Sequence, residues 1–367
     1  MIITVDCRWI DSSGVGVYIR GCLPFFLDSG NSFHLLGDPR KLYPLISGRK
    51  NALVLDCDIK PFSVRELLFF PLKHLIKKIN SGDIYYSPYF NIPGGVKVPV
   101  FTTIHDIVFP DMPELTSGPG LAARVFFYRR CYRRSTKIFT VSAFSKSRIE
   151  YHLGKDIPVI VTHSAIRPEI PQQGTGSAQK KETIVFIGNI KKHKGIDYLL
   201  EAFMLARKEG LPHQLIIIGS RDNFRTSDNN FLSKVDSLDS NAVRFTGFIS
   251  DEELAECLSS ASLLVQPSLY EGFGLPPLEA MVLGTQALIS DIPVFKEIYG
   301  DFPVAYFHAG DARDLKNKMM EMLFNKKPSS PALTPALTPV LSPVLSNELI
   351  SKYTFEKTSA VIMRELG

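Results

Sequence analysis

Short runs dense in Val, Ile, Leu and Phe recur along the whole chain, and the stretches between them mix apolar and polar residues. The first half contains FHLLG, ALVLD, DIYYS, KIFTVS and PVIVTH, and the second TIVFIG, QLIIIG, VRFTG, SLLVQPS and QALIS. Such runs, too uniformly apolar for a half-solvated strand, suit parallel sheets covered by helices on both faces. Alternation of strand-like and helix-like segments predicts an α/β protein, and the two series predict two doubly wound, Rossmann-like domains. Ile2–Asp6 reads as the opening strand.

Between the series, RPEIPQQGTGSAQKK is rich in Pro, Gln, Gly and Ser and has no periodicity, which predicts a linker. The expected organisation is an N-terminal domain over 1–166, a linker over 167–182 and a C-terminal domain over 183–346. A last helix is expected over 347–367. Residues 331–346 repeat a Pro-x-Leu-(Ser/Thr) unit four times. A proline every fourth residue blocks a regular helix, so an exposed extended segment is expected there.

The length of 367 residues and a hydrophobic fraction of 45% fit two such cores, since domains commonly run to about 150–200 residues. Five cysteines without paired spacing suggest reduced thiols in a cytosol rather than a disulfide framework. The apolar N-terminus ends at Asp6 with no basic lead-in, and no apolar run reaches the roughly 18 residues a spanning helix needs. A cytoplasmic protein, soluble or peripheral on the membrane's inner face, is expected. The net charge is +5, and Arg124, Arg129, Arg130, Arg133, Arg134 and Lys137 crowd one aromatic-rich stretch. LLFFPLKHLIKKI adds Lys73, Lys77 and Lys78 to apolar bulk. Both read as elements drawn to an anionic membrane surface or as the plain solvated faces of buried helices, whereas no nucleic-acid reader motif accompanies the charge.

Chemistry concentrates in SLYEGFGLPPLEAMVLGT. Its Gly-x-Gly turn followed by two prolines predicts a strand giving way to a helix, where convergent N–H groups and the helix dipole seat phosphate. Glu271, just before that turn, would repel phosphate and should face hydroxyl groups, while Glu279, about a turn into the helix, reaches another set. A nucleotide sugar fits this pattern. In TIVFIGNIKKHKGIDYLLEAF, a strand over Ile184–Ile187 leads to a loop bearing Lys191, Lys192, His193 and Lys194, at the sheet edge where ligands of open α/β sheets gather. In VPVFTTIHDIVFPDMPE, a β-branched strand delivers His105 and Asp106 to the equivalent edge of the first domain. The loop WIDSSGVGVYIRG carries Gly14 and Gly16, which allow close backbone approach to a ligand. The dinucleotide fingerprint G-x-G-x-x-G fails there, because its third glycine falls at Ile19.

These residues together resemble retaining glycosyltransferases of the GT-B type, family 4. Glu271, Gly272, Phe273, Gly274, Pro276, Glu279, Ala280 and Gly284 match that family's Glu-x7-Glu signature. The resemblance implies two Rossmann-like domains facing each other across a cleft and closing on a hinge, the last helix returning to the first domain. It implies that Glu271 contacts the donor sugar, the amides of Gly272 to Leu275 hold the diphosphate, Glu279 holds the ribose and Lys194 binds phosphate. Many members place an arginine where this chain has Asn189, leaving Lys191 or Lys192 to supply a second cation. His105 and Asp106 resemble the family's His-Asp motif near the transferred sugar, and Gly14 and Gly16 its glycine loop.

GVGVYIRG, IHDIVFPD, VSAFSKSRI, GNIKKHKG and YEGFGLPPLEAM look most like bacterial O-antigen or surface-polysaccharide mannosyltransferases, which implies a GDP-mannose donor and a glycan or lipid-linked oligosaccharide acceptor. UDP- and dTDP-sugars stay open as donors, as does a noncatalytic assembly partner of the same fold. Asp56-Cys57-Asp58 has the Asp-x-Asp form of metal-dependent transferases of another fold but ends a strand, so no cofactor and no essential metal are expected.

Overall fold

The computed structural model describes residues 1–63, 65–66, 73–167, 170, 179–219, 242–324 and 343–367, with the side chains of 13 and 343–347 excepted. The Pro-Leu repeat up to residue 342 and most of the expected linker lie outside the described residues. The chain divides into two compact units, Met1–Ala165 with Tyr353–Gly367, and Ile166–Lys352.

The first unit runs β1 (Ile2–Asp6), α1 (Ser13–Leu27), β2 (Ser32–Gly37), β3 (Ala52–Asp56), α2 (Lys73–Asn80), β4 (Ile84–Ser87), β5 (Val100–Thr103), α3 (Gly118–Arg134), β6 (Lys137–Thr140), α4 (Ala143–Leu153) and β7 (Val159–Val161). Its seven strands are parallel in the order β3-β2-β1-β4-β5-β6-β7. The chain therefore builds outward from β1 on one side and returns to lay β4 on the other. That reversal is where α/β sheets open a crevice at the strands' C-terminal ends.

The second unit runs β8 (Lys181–Ile187), α5 (Ile196–Lys208), β9 (Gln214–Ile218), β10 (Val243–Gly247), α6 (Asp251–Ser260), β11 (Ala261–Gln266), α7 (Leu275–Val282), β12 (Gln286–Ser290), α8 (Pro293–Tyr299), β13 (Ala305–Phe307), α9 (Ala312–Phe324) and α10 (Pro343–Lys352). Six parallel strands lie in the order β10-β9-β8-β11-β12-β13, so its reversal falls between β8 and β11. Ile184, Phe186, Leu263 and Val265 point from the central strands into a fully buried core against Leu199 and Phe203 of α5. Burying such a side chain stabilises by about 1.5–3 kcal/mol. β8 begins at Lys181, two residues before the expected start of the C-terminal domain at 183, because Lys180 is already fixed to this unit through Thr285 Oγ1 at 2.7 Å and Ser259 O at 2.9 Å.

The single last helix expected over 347–367 is two. α10 starts at Pro343, so the last repeat unit forms a first helical turn, where proline's fixed φ and missing N–H are tolerated. The second helix, α11 (Phe355–Leu366), is capped by Thr354, whose side chain accepts from Lys357 N at 3.2 Å. α11 belongs to the first unit. Thr358 Oγ1 donates to Thr162 O at 3.2 Å, and Lys137 Nζ meets Glu365 Oε2 at 2.9 Å. The Phe355 ring lies where a Cβ on Gly21 would be, 2.3 Å from its Cδ2.

Gly14 and Gly16 occupy the first turns of α1 rather than a loop. A Cβ on Gly16 would stand 2.3 Å from Ile10 O, whereas Gly14 has nothing within 4 Å. The close approach at Gly16 is therefore to the chain's own turn, which lets α1 fold back over the end of β1. Gly16→Ala is expected to lower the unfolding midpoint sharply, by about 2 kcal/mol or more, since a backbone carbonyl must move. Gly14→Ala should be neutral or stabilising by up to about 1 kcal/mol, as for an exposed helical glycine. Urea titration of both variants measures this contrast.

Candidate functional site

The reversal between β8 and β11 brings two loops to one edge of the second sheet. After β8 the chain passes Asn189 and the exposed Lys191 and Lys192, makes a short 3-10 turn over Lys192–Lys194 and enters α5 through Gly195. Gly195 has φ 68°, and a Cβ there would stand 1.8 Å from Pro267 O in the loop after β11. No other residue fits. His193 O accepts Leu269 N at 2.8 Å, which ties the two loops together through their backbones.

Lys194 and Glu271 meet at this seam. Lys194 Nζ donates to both carboxylate oxygens at 2.7 Å, with side-chain exposures of 21% and 9%. Ser268 Oγ donates to Glu271 Oε1 at 2.8 Å, and Gln266 Nε2 donates to Ser268 Oγ at 3.0 Å. Ser290 Oγ in turn donates to Ser268 O, so β12 supports the arrangement from behind. Glu271 thus faces a cation and a hydroxyl of its own chain. The sequence pattern hid Ser268 and Gln266, which look like ordinary polar residues at a strand end.

Gly272, Phe273 and Gly274 form a buried turn, and Leu275 starts α7. Gly274 has φ 89°, and a Cβ there would meet Phe295 Cε1 at 2.4 Å. The Tyr299 hydroxyl donates to Gly274 O, so α8 fixes the turn through both residues. Pro276 and Pro277 lack N–H groups, so neither adds a donor to the first turn of α7. Glu279 lies deeper in α7, fully buried, with Arg167 Nε 2.9 Å from Oε1. Arg167 also donates from Nη1 to Asp251 Oδ1 at 2.8 Å. Sequence reasoning missed Arg167, whose only signal was a basic residue at the start of a Pro-rich stretch.

His193 points away from any proton role. Burial, then Lys194 and Lys191, push its imidazole down to about 3.

In the first unit, His105 follows β5 and lies beside the turn after β4. Its Nε2 is 2.9 Å from Pro88 O, and its ring meets Tyr18 edge-on at 4.8 Å. A carbonyl only accepts, so Nε2 carries the hydrogen and Nδ1 keeps its lone pair. Burial pushes this imidazole down to about 4, against the opposing bond to Pro88. Asp106 accepts Val108 N at 3.2 Å, a turn-capping contact. Deeper at the same reversal, Arg8 links Asp6 at 2.5 Å and Glu66 at 2.7 Å, all nearly inaccessible. Asn91 Nδ2 reaches both carboxylates, and Tyr85 donates to Asp6 at 2.7 Å. Burial alone would raise the Asp6 carboxyl, but Arg8 and Tyr85 hold it below its ordinary range.

A basic surface lies on α3. Arg130 and Arg134 donate to Ile92 O and Val96 O, while Arg129 and Arg133 lie exposed beside Phe126 over a hollow of about 760 Å³. Among the described residues no helix is long and apolar enough to cross a membrane. No group of three or more His, Cys, Asp or Glu side chains is gathered there as a metal would need. Asp56 closes β3 as an exposed residue, next to buried Cys57.

Residues 168–332, which hold Lys194, Glu271 and Glu279, match the family of glycosyl transferases group 1. The match spans a little under half of the chain. Among curated proteins, the chain is 30% identical over 231 residues to O-antigen chain mannosyltransferase B of Escherichia coli, covering 59% of each. It is 28% identical over 205 residues to O-antigen chain mannosyltransferase RfbU of Salmonella typhimurium, covering 53% of each. Each match thus spans little more than half of the relative. Among solved structures, Anabaena Alr3699/HepE in complex with UDP and glucose has a TM-score of 0.68 at 17% identity, covering 100% of this chain and 99% of that one. Sucrose-phosphate synthase of Thermosynechococcus elongatus gives 0.70 at 16%, covering 100% and 98%. These likenesses show the fold, which is GT-B. The β8/β11 seam lies within the matched residues.

The lowered His105 imidazole makes stability depend on pH. Between about 6.5 and about 4 the unfolded chain binds a proton there that the folded chain does not. Stability is therefore full above that window and falls as pH drops through it, by a contribution on the order of 1–3 kcal/mol. His105→Gln is expected to lose less than the wild type between pH 7 and 4. Urea midpoints at the two pH values test this; an equal loss in both proteins would refute it.

Proposed function

We propose that the protein is a retaining, metal-independent glycosyltransferase that moves mannose from GDP-mannose to a glycan or lipid-linked oligosaccharide of a bacterial surface polysaccharide. The observation that carries the reading is the Lys194–Glu271 pair, held at the sheet reversal inside the matched domain. In this reading the donor's diphosphate lies along the amides of Gly272 to Leu275 and takes Lys194 as its counter-charge, assisted by Lys191 or Lys192. Glu271 is then released to accept the sugar's hydroxyls. Because Ser268 and Gln266 hold the carboxylate, it changes partners without changing place.

Departure of the nucleoside diphosphate is the step that develops charge, and a preorganised cation with convergent amides is the main catalytic lever for it. This lysine and these amides do the work that other transferases assign to a divalent ion. Glu279 holds the ribose. His105, neutral at physiological pH, offers the Nδ1 lone pair to a sugar or acceptor hydroxyl rather than a proton to the leaving group. Asp106 shapes the turn that follows it. Supporting the mannosyl choice is the likeness to two O-antigen chain mannosyltransferases. A noncatalytic partner would have no need of the lysine and both glutamates in these positions.

An anionic membrane surface is the proposed second partner. Arg129 and Arg133 are one turn apart and exposed, and like charges at that spacing repel unless an anion meets them. Phe126, 57% exposed, gives the same face an apolar member.

Lys194→Ala and Glu271→Ala are each expected to lower turnover by about 100- to 1,000-fold in a protein that still folds and melts cooperatively. Thermal shifts with GDP, UDP, dTDP and ADP, with and without chelator, choose the donor. Stabilisation by GDP that survives chelation supports the reading, another nucleotide replaces the donor, and no shift from any of them overturns it. Sedimentation with vesicles containing anionic lipid should show salt-sensitive binding that Arg129→Glu/Arg133→Glu abolishes. Binding unchanged in that variant would remove the membrane from the proposal.

A further inference from the structure

Arg167 belongs to none of the motifs that mark the site, yet it contacts the carboxylate buried most deeply within it. It is the second residue of the second unit, directly after the chain leaves the first at Ala165. Its guanidinium touches two different helices. Nη1 donates to Asp251 Oδ1 at 2.8 Å on the first residue of α6, and Nε stands 2.9 Å from Glu279 Oε1 in α7. Exposure falls from 31% at Asp251 through 18% at Arg167 to zero at Glu279, so the pair of contacts runs inward from solvent.

A carboxylate with no access to water stays ionised and fixed in direction only where a countercharge and donors reach it. Glu279 cannot obtain either from solvent. A guanidinium suits the task better than an ammonium, because its planar fork can engage one acid along one edge and a second along another. Asp251 holds the outer edge, which leaves the Nε side of the guanidinium as the countercharge 2.9 Å from Glu279 Oε1. Asp251 is itself fixed, since α6 begins in a capping box made by Ser250 and Glu253. The chain Ser250–Asp251–Arg167–Glu279 therefore transmits the position of a helix start to a buried carboxylate.

We propose that Arg167 is a positioning residue for recognition of the donor's ribose, acting through Glu279 and itself held by Asp251. The inference rests on the reading of Glu279 as the ribose ligand. A carboxylate held beside its countercharge accepts strongly from the ribose hydroxyls, whereas one that has lost that countercharge turns away and no longer distinguishes a hydroxyl from a hydrogen. Arg167 should thus govern discrimination between ribose and its deoxy form, not affinity for the diphosphate.

The test is calorimetric titration of the full chain with GDP and with 2′,3′-dideoxy-GDP. It compares wild type, Glu279→Gln, Arg167→Ala, Arg167→Lys, Asp251→Asn and the Arg167→Ala/Glu279→Gln double variant. The wild type is expected to prefer the ribose form by about ten- to a hundredfold, as for hydrogen bonds to a charged group. Glu279→Gln and Arg167→Ala should each bring that ratio close to one, and the double variant should lose nothing more. Arg167→Lys should recover part of the ratio by restoring charge without the fork. Asp251→Asn, which leaves the buried pair intact, should reduce it partially and serves if Arg167→Ala folds poorly. A ratio unchanged in Arg167→Ala and in Asp251→Asn, but lost in Glu279→Gln, would overturn the role of Arg167 while leaving the ribose reading in place. A ratio unchanged in Glu279→Gln would overturn both, as would a wild type that binds neither nucleotide.

Discussion

The parallel pairing of β8 with β11 is the constraint from which the site of the second unit follows. Ile184 pairs with Leu263 and Val185 with Leu264, so both strands release their loops at one edge. Those loops approach so closely that only glycine fits at 195, and the His193 carbonyl binds the opposing Leu269 amide. Lys194 and Glu271 are then brought together by backbone geometry before their charges matter. The pair is not chiefly a source of stability. Desolvating two ions offsets much of their attraction, and removal of one leaves the other badly placed. An exposed pair such as Arg40–Asp38, whose arginine is 88% accessible, contributes little of either kind. Lys194–Glu271 lies between these limits, confined enough to be directed and open enough to exchange a partner.

The first unit distributes its charge differently. At its own strand reversal, Asp6, Arg8 and Glu66 are almost sealed from water and fully engaged by Tyr85 and Asn91. They brace the ends of β1 and β4. His105 lies nearby without a charge, oriented by one carbonyl and one aromatic edge. A neutral, directional group set on a rigid ionic base suits hydrogen bonding to a sugar hydroxyl better than it suits proton donation.

Much of this was legible in the sequence, for physical reasons that also mark where legibility ends. Strands buried on both faces must be nearly all apolar, so TIVFIG and SLLVQPS announce themselves, while the three-residue β13 is too short to leave a pattern. The Gly-Pro punctuation around Glu271 marks a helix start because few other residues can make that turn. Arg167 could not be found, since its meaning depends on two acids more than 80 positions away and on a fold no local pattern describes. Gly16 was visible as a glycine but not for what it accommodates, because a close approach to Ile10 O and one to a ligand make the same demand on sequence. The break at Tyr353 and Thr354 likewise follows from tertiary packing, since a helical pattern runs through both flanks.

The first unit is assembled from two separated pieces of chain, Met1–Ala165 and Tyr353–Gly367. During synthesis its sheet can form early, yet the groove along α1 that accepts Phe355 stays unfilled until the whole second unit has been made. Contacts joining residues 21 and 355, or 137 and 365, carry a large loop-closure cost. The second unit, continuous from Ile166 to Lys352, bears no such debt and can complete itself first. The order of maturation open to the chain is thereby inverted relative to the order of translation: the second unit can close its core, and only then does the last helix seal the unit that was begun before it.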